Sequence, residues 1–135
     1  MAKPKTILVV DDDEAMRRIL ASLLEAGGHT AVCAGDGPQA VAYAKEQAPD
    51  LILMDLLMPG MGGGEAIKKI RALDGLAEVP VIVVTGSATK EHVLEARRVG
   101  ADDVMTKALF EAGLFLRRIE LVFERCSSRK TAAAR

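Results

Sequence analysis

Asp11, Asp12 and Asp55 offer carboxylates, Thr85 a hydroxyl and Lys107 an ammonium group. Brought together, these groups could move a phosphoryl group. Ile7–Leu8–Val9–Val10 runs straight into Asp11–Asp12–Asp13–Glu14, and Leu51–Ile52–Leu53–Met54 into Asp55. Carboxylates crowded at the ends of buried strands need a counterion, since two unit charges 4 Å apart repel by about 4 kcal/mol at an effective dielectric near 20. A hard divalent cation meets that need. Mg²⁺ takes oxygen ligands, usually one or two carboxylates plus water and phosphate oxygens. A carboxylate can also attack phosphorus and become an aspartyl phosphate. Such transfer asks for in-line positioning and charge neutralisation more than for covalent machinery. Mg²⁺ and Lys107 could neutralise the phosphoryl oxygens, and Thr85 could hydrogen-bond one of them. Gly86 leaves room beside Thr85.

The elements that must position these residues alternate in type. Strands are expected over Thr6–Val10, Thr30–Ala34, Leu51–Met54, Val79–Val84 and, weakly, Asp103–Thr106. Met16, Ile19, Leu20, Leu23 and Leu24 mark one apolar helix face, stopped by Gly27–Gly28. Ala40, Val41 and Ala44 predict a second helix, and Ala66, Ile67, Ile70 and Leu73 a third. Val93 and Ala96 predict a fourth, closed by Gly100; Phe115, Ile119, Val122 and Phe123 predict a fifth. Five strand–helix units predict an α/β fold, a parallel sheet covered by helices on both faces. In such sheets ligands bind beyond the carboxyl ends of the strands. The suspicious polar residues all fall on that edge.

The bulk properties narrow the function. A chain of 135 residues suits one domain, and a formal net charge of −1 gives no footprint for nucleic acid or a membrane surface. No apolar run approaches the roughly 20 residues of a spanning helix. Met1–Thr6 lacks a signal-peptide apolar region. Cys33 and Cys126 form no metal or disulfide pattern, so a reduced, cytoplasmic protein is expected. Aromatic residues make up only 3%, which argues against stacking on bases or sugars. Cys33 reads as core, and His29 and His92 as surface residues. The glycines after Pro59 read as devices of a flexible loop.

The stretches "VVDDDEAMRR", "LILMDLLMPGMGG", "VIVVTGS" and "GADDVMTK" lie at four strand ends in order. In these the chain resembles response-regulator receiver domains of two-component signalling, over Thr6 to Arg125. The resemblance implies a doubly wound, flavodoxin-like five-stranded parallel sheet of order 2-1-3-4-5, a receiver domain over 1–126 and a basic polar tail or truncated linker over 127–135. It implies that Asp55 is the phosphoacceptor and that Asp12, Asp55 and the backbone carbonyl of Leu57 bind Mg²⁺, with Asp11 acting through water. Thr85 and Lys107 would bind the phosphoryl group, and Pro59 and Gly86 belong to the matched motifs. The implied donor is a sensor histidine kinase or a histidine phosphotransfer protein. An output domain, an effector protein or a second copy would read the result. Such a domain assists its own phosphorylation and hydrolysis without turning over a separate substrate.

Two positions depart from the family pattern. Its lysine is followed by a proline with a cis bond, whereas Ala108 follows Lys107 here. A cis bond before a non-proline residue costs about 2.5–4 kcal/mol, so a trans bond and a shifted loop are expected. The family usually has Tyr or Phe where Val104 stands, and a β-branched valine cannot make the large inward rotation of a switch residue. Leu57 and Ser87 flank the path of a hydrolytic water, and a leucine there predicts a long-lived acyl phosphate. Leu114 and Leu121 lie off the main stripe of the last helix, available for a dimer or partner contact. Two other functions compete. In a haloacid-dehalogenase-type phosphatase Asp11 would be the nucleophile and Asp13 the acid–base, but nothing there explains Asp55–Pro59, and Asp102–Asp103 precede Lys107 instead of following it. In a non-phosphorylated pseudo-receiver the chain would only dock.

Overall fold

The computed structural model describes residues 4–86, 89–107 and 111–133, with side chains described as far as residue 127. The strands are β1 (Thr6–Val10), β2 (Thr30–Ala34), β3 (Leu51–Met54), β4 (Val81–Thr85) and β5 (Asp103–Thr106). The helices α1 (Glu14–Ala26), α2 (Gly37–Glu46), α3 (Gly63–Arg71), α4 (Lys90–Arg98) and α5 (Ala112–Ala133) alternate with them. All strand pairs are parallel, in the order β2-β1-β3-β4-β5. This is the doubly wound α/β sheet that the alternation predicts.

Side chains of the central strands alternate between two cores, because successive residues of a strand point to opposite faces. Ile7, Val9, Leu51, Leu53, Ile82 and Val84 pack with Leu20 and Leu24 of α1 and with Phe115, Ile119 and Val122 of α5. Leu8, Val10, Ile52, Met54, Val81 and Val83 pack on the other face with α2, α3 and Ala96 of α4. β1, β3 and β4 are therefore apolar on both sides, as buried parallel strands must be.

The four acids after β1 divide their tasks. Asp11 closes the strand: its N–H donates to Ala34 O at 3.2 Å. Asp13 is the N-cap of α1, its carboxylate accepting from Ala15 N and Met16 N. Glu14 lies in the first turn, where an acid suits the helix dipole. Asp12 alone among Asp11–Asp13 has no such local duty and lies exposed. Gly28 and Gly100 take positive φ directly after α1 and α4, which glycine does without strain.

Several expectations need correction. β4 runs over Val81–Thr85, not Val79–Val84; Val79 instead closes a turn, its N–H donating to Leu76 O at 3.2 Å. Ile19 does not share the buried face of α1 but is 52% exposed. His29 is buried: its Nδ1 accepts from Lys5 N at 3.3 Å and its ring lies 6.1 Å from that of Phe123. Cys33 is exposed, because β2 is an edge strand. α5 extends from Ala112 to Ala133, across the expected limit at 126/127, and this continuity neither moves nor fixes that limit. Ser87 and Ala108, and with Ala108 the expected trans bond, lie outside the described residues. Leu114 and Leu121 are exposed.

Candidate functional site

The register of the sheet gathers the candidate residues on one rim. β1 and β3 are neighbours, with Val10 opposite Met54, so Asp11 and Asp55 leave adjacent strand ends. Asp55 N donates to Val10 O at 3.0 Å, which fixes the two ends together. Thr85 ends β4 opposite Thr106 of β5, and Lys107 follows directly. Asp11, Asp55 and Thr85 are buried, at 1%, 4% and 1% exposure.

Lys107 joins the acids. Its Nζ lies 2.6 Å from Asp11 Oδ2 and 3.2 Å from Asp55 Oδ2. The other oxygen of each acid takes a backbone donor: Asp11 Oδ1 accepts from Asp13 N at 3.0 Å, and Asp55 Oδ1 from Leu57 N at 3.1 Å. Burial pushes Asp55 above the usual carboxylate range. The Leu57 N–H and Lys107 oppose that shift, and the charge of Asp11 adds to it. For Lys107, burial pulls the pKa down, but the hydrogen bonds and charges of Asp11 and Asp55 outweigh it and leave the lysine raised. The ammonium is thus held in its charged form by the acids it bridges.

Asp11, Asp12 and Asp55 each bring a carboxylate oxygen to a common place, all within 4.8 Å of one another. Three hard oxygen donors, two of them buried, match the donor chemistry of a small divalent cation such as Mg²⁺. One ammonium does not neutralise three carboxylates, so the cluster keeps a demand for positive charge. Leu57 lies at the rim with its side chain 51% exposed. Gly86 lies beside the aliphatic stem of Lys107, where an added Cβ would sit 3.9 Å from Cδ. Pro59 is exposed in the loop after Asp55. Val104 is partly buried against the core on the α2–α3–α4 face.

Two contributors escaped the sequence reading. Gly63 is no mere loop glycine. A Cβ there would collide with the backbone carbonyl of Asp55, so the first turn of α3 rests directly on the main chain of Asp55. Arg17 Nη1 donates to the backbone carbonyl of Asp11 at 2.7 Å. Its position in α1, six residues after Asp11, was the only available signal.

Comparison with known proteins agrees with this geometry. The family described as response regulator receiver domain matches residues 7–118. The sensory transduction protein RegX3 of Mycolicibacterium smegmatis is 36% identical over 129 residues, covering 96% of this chain and 55% of RegX3. The chemotaxis protein CheY-3 of Vibrio cholerae is 36% identical over 124 residues, covering 91% of this chain and 95% of CheY-3. The chain spans about half the length of RegX3 and of the PhoB regulator of Pseudomonas aeruginosa, and less of PleD of Caulobacter vibrioides. Among solved structures, the receiver domain of sensor histidine kinase PA1611 from Pseudomonas aeruginosa superposes with a TM-score of 0.82 at 28% identity. That match covers 90% of this chain and 99% of the other, whose active-site cleft coordinates a magnesium ion. Fold, rim and family match coincide over the same residues, and the chain belongs to the response regulator receiver domain family.

Proposed function

We propose that Asp55 is a phosphoacceptor, charged by a sensor histidine kinase or a histidine phosphotransfer protein. The observation that carries this reading is the single ammonium of Lys107 bridging Asp11 and Asp55, far apart in sequence, at 2.6 and 3.2 Å. A carboxylate oxygen of Asp55 bonds to phosphorus. The bond from phosphorus to the donor's imidazole nitrogen breaks, and its electron pair leaves with that nitrogen. Asp12, Asp55 and the Leu57 carbonyl would hold Mg²⁺, with Asp11 acting through water. Bound there, the ion supplies charge neutralisation for the phosphoryl oxygens. Lys107 offers a second positive charge to them, and the Thr85 hydroxyl a hydrogen bond. The domain assists its own phosphorylation and hydrolysis and turns over no separate substrate.

The output is a face of α4, β5 and α5 that a partner protein, an output domain or a second copy would read. Val104 stands where an aromatic switch residue would rotate, so this face responds through Thr85 and the backbone, with a smaller side-chain swing. Among the described residues no helix is long and apolar enough to cross a membrane. A cytoplasmic site of action accords with the proposed kinase partner.

The phosphatase reading finds no support at Asp11. The acid–base which that reading needs, Asp13, is occupied as the N-cap of α1, and that reading gives Asp55 no task. A pure docking module would not need the full set of acids and lysine. Acetyl phosphate with Mg²⁺ tests the proposal: intact mass should show one added phosphoryl group, mapped to Asp55, and Asp55→Asn should abolish it. Label on Asp11, or none on the parent chain, overturns it.

A further inference from the structure

We infer that Arg17 is a positioning residue for the divalent cation, acting through the peptide that joins Asp11 to Asp12. The inference rests on the phosphoacceptor reading only for the identity of the ion. Asp12 contributes to the acidic cluster but is exposed, so packing does not direct its carboxylate. What the chain can fix is its Cα–Cβ direction, which the two flanking peptides set. The first of these carries the Asp11 carbonyl, and Arg17 Nη1 holds that oxygen at 2.7 Å. Because the peptide is planar, holding its oxygen orients the N–Cα bond of Asp12. The second is held from the other side, Asp13 N donating to Asp11 Oδ1 at 3.0 Å. Both peptides around Asp12 are therefore tied.

Arg17 is itself well anchored. Its backbone N–H donates to Asp13 O at 3.0 Å, which seats it in the first turn of α1. Its guanidinium crosses the end of β2 over Gly35, where a Cβ would lie 3.4 Å from Nη1. The bare glycine leaves the passage open.

Arg17 acts on the cation in two opposing ways. Its positive charge opposes Mg²⁺, so removing the charge alone would tighten binding. Its hydrogen bond orients Asp12, so removing the bond would loosen binding. The guanidinium is only half-buried, and solvent screens its charge. Partners that orient metal ligands are worth about 10–100-fold in affinity. The positioning effect wins, and its loss should weaken Mg²⁺ by about tenfold.

The test measures Mg²⁺ affinity of the full chain by calorimetry. Arg17→Met should bind about tenfold more weakly. Arg17→Lys, which keeps a donor long enough to reach the carbonyl, should recover most of the loss. Gly35→Val should crowd the guanidinium off the Asp11 carbonyl and weaken Mg²⁺ in the same sense, with Arg17 still present. Far-UV circular dichroism and urea unfolding in EDTA verify that each variant is folded. In acetyl phosphate labelling, Arg17→Met should need more Mg²⁺ for half-saturation yet reach the parental rate at saturation. Unchanged or tighter Mg²⁺ binding in both Arg17→Met and Gly35→Val overturns the inference. A parent chain that binds Mg²⁺ but takes no label sinks the phosphoacceptor reading alone.

Discussion

Replacing Asp55 by Asn should make the metal-free protein more stable, although it removes an ion pair. Lys107 attracts the Asp55 carboxylate by about 5 kcal/mol at 3.2 Å and an effective dielectric near 20. Asp11 repels it by about 3.5 kcal/mol or more, since their ligand oxygens lie within 4.8 Å. The Leu57 N–H adds about 1.5–3 kcal/mol in favour of the charge. Against these stands the desolvation of a carboxylate that is 4% exposed, several kcal/mol. Desolvation is the largest of these influences and holds the Asp55 carboxyl above its ordinary value. Asn keeps the shape and the acceptor for Leu57 N, so its urea midpoint should lie above that of the parent at neutral pH. The sign with pH follows. A carboxylate whose folded pKa is raised contributes stability that is fully present below its unfolded value and is lost as pH rises through the folded value. The parent chain should therefore fall behind Asp55→Asn as pH climbs from the ordinary aspartate range towards neutrality, and the two should match in acid. Mg²⁺ at ten times its dissociation constant returns about 1.4 kcal/mol to the parent and narrows the gap. Urea unfolding with EDTA and with Mg²⁺, over that pH range, reads all of this. An Asn variant less stable than the parent in EDTA at neutral pH refutes the reasoning.

Lys107→Met should cost about 3–5 kcal/mol in EDTA, because buried Asp11 loses its counter-charge at 2.6 Å. The same change should tighten Mg²⁺ binding, read by calorimetry, while slowing phosphorylation. Gly63→Ala should destabilise the fold by about 1–3 kcal/mol in urea, since its methyl group meets the Asp55 carbonyl. Leu57→Asn should shorten the lifetime of the acyl phosphate severalfold by admitting water, read as the decay of label after donor removal. Arg71→Met should lower the urea midpoint yet leave Mg²⁺ affinity unchanged. Arg71 holds Val79 O, Val99 O and Gly100 O at 3.0, 3.2 and 2.9 Å, at the strand edge away from the acids.

The sheet was readable because its evidence is local. Ile7–Val10 and Leu51–Met54 are apolar on both faces, which only a covered parallel sheet accommodates. The acidic part of the rim was readable because Asp11 and Asp55 follow such runs, whereas Lys107 follows the weak strand Asp103–Thr106. What escaped depends on neighbours remote in sequence. Ile19 sits at the helical spacing of a core residue, but spacing does not tell where the covered arc ends. His29 is polar by type, and its burial comes from Lys5 and Phe123, which only the fold brings near. Cys33 is exposed because β2 lies at the edge, a fact of strand order and not of the strand's own residues. Val79 fits a strand by composition, yet its N–H closes a turn onto Leu76 O and its carbonyl accepts from Arg71. The contact of Arg17 with the Asp11 carbonyl depends on the turn between β1 and α1, which residue types alone do not give.

Helix α3 has an unusual pair of abutments. At Gly63 it bears on the main chain of Asp55 with no side chain to act as a cushion. About 12 Å away, eight residues on, Arg71 grips the carbonyls at the end of α4 and approaches Asp102 before β5, at 3.6 Å. One short helix therefore touches both the main chain of Asp55 and, through Arg71, the sheet margin at Gly100 and Asp102, and so joins the two.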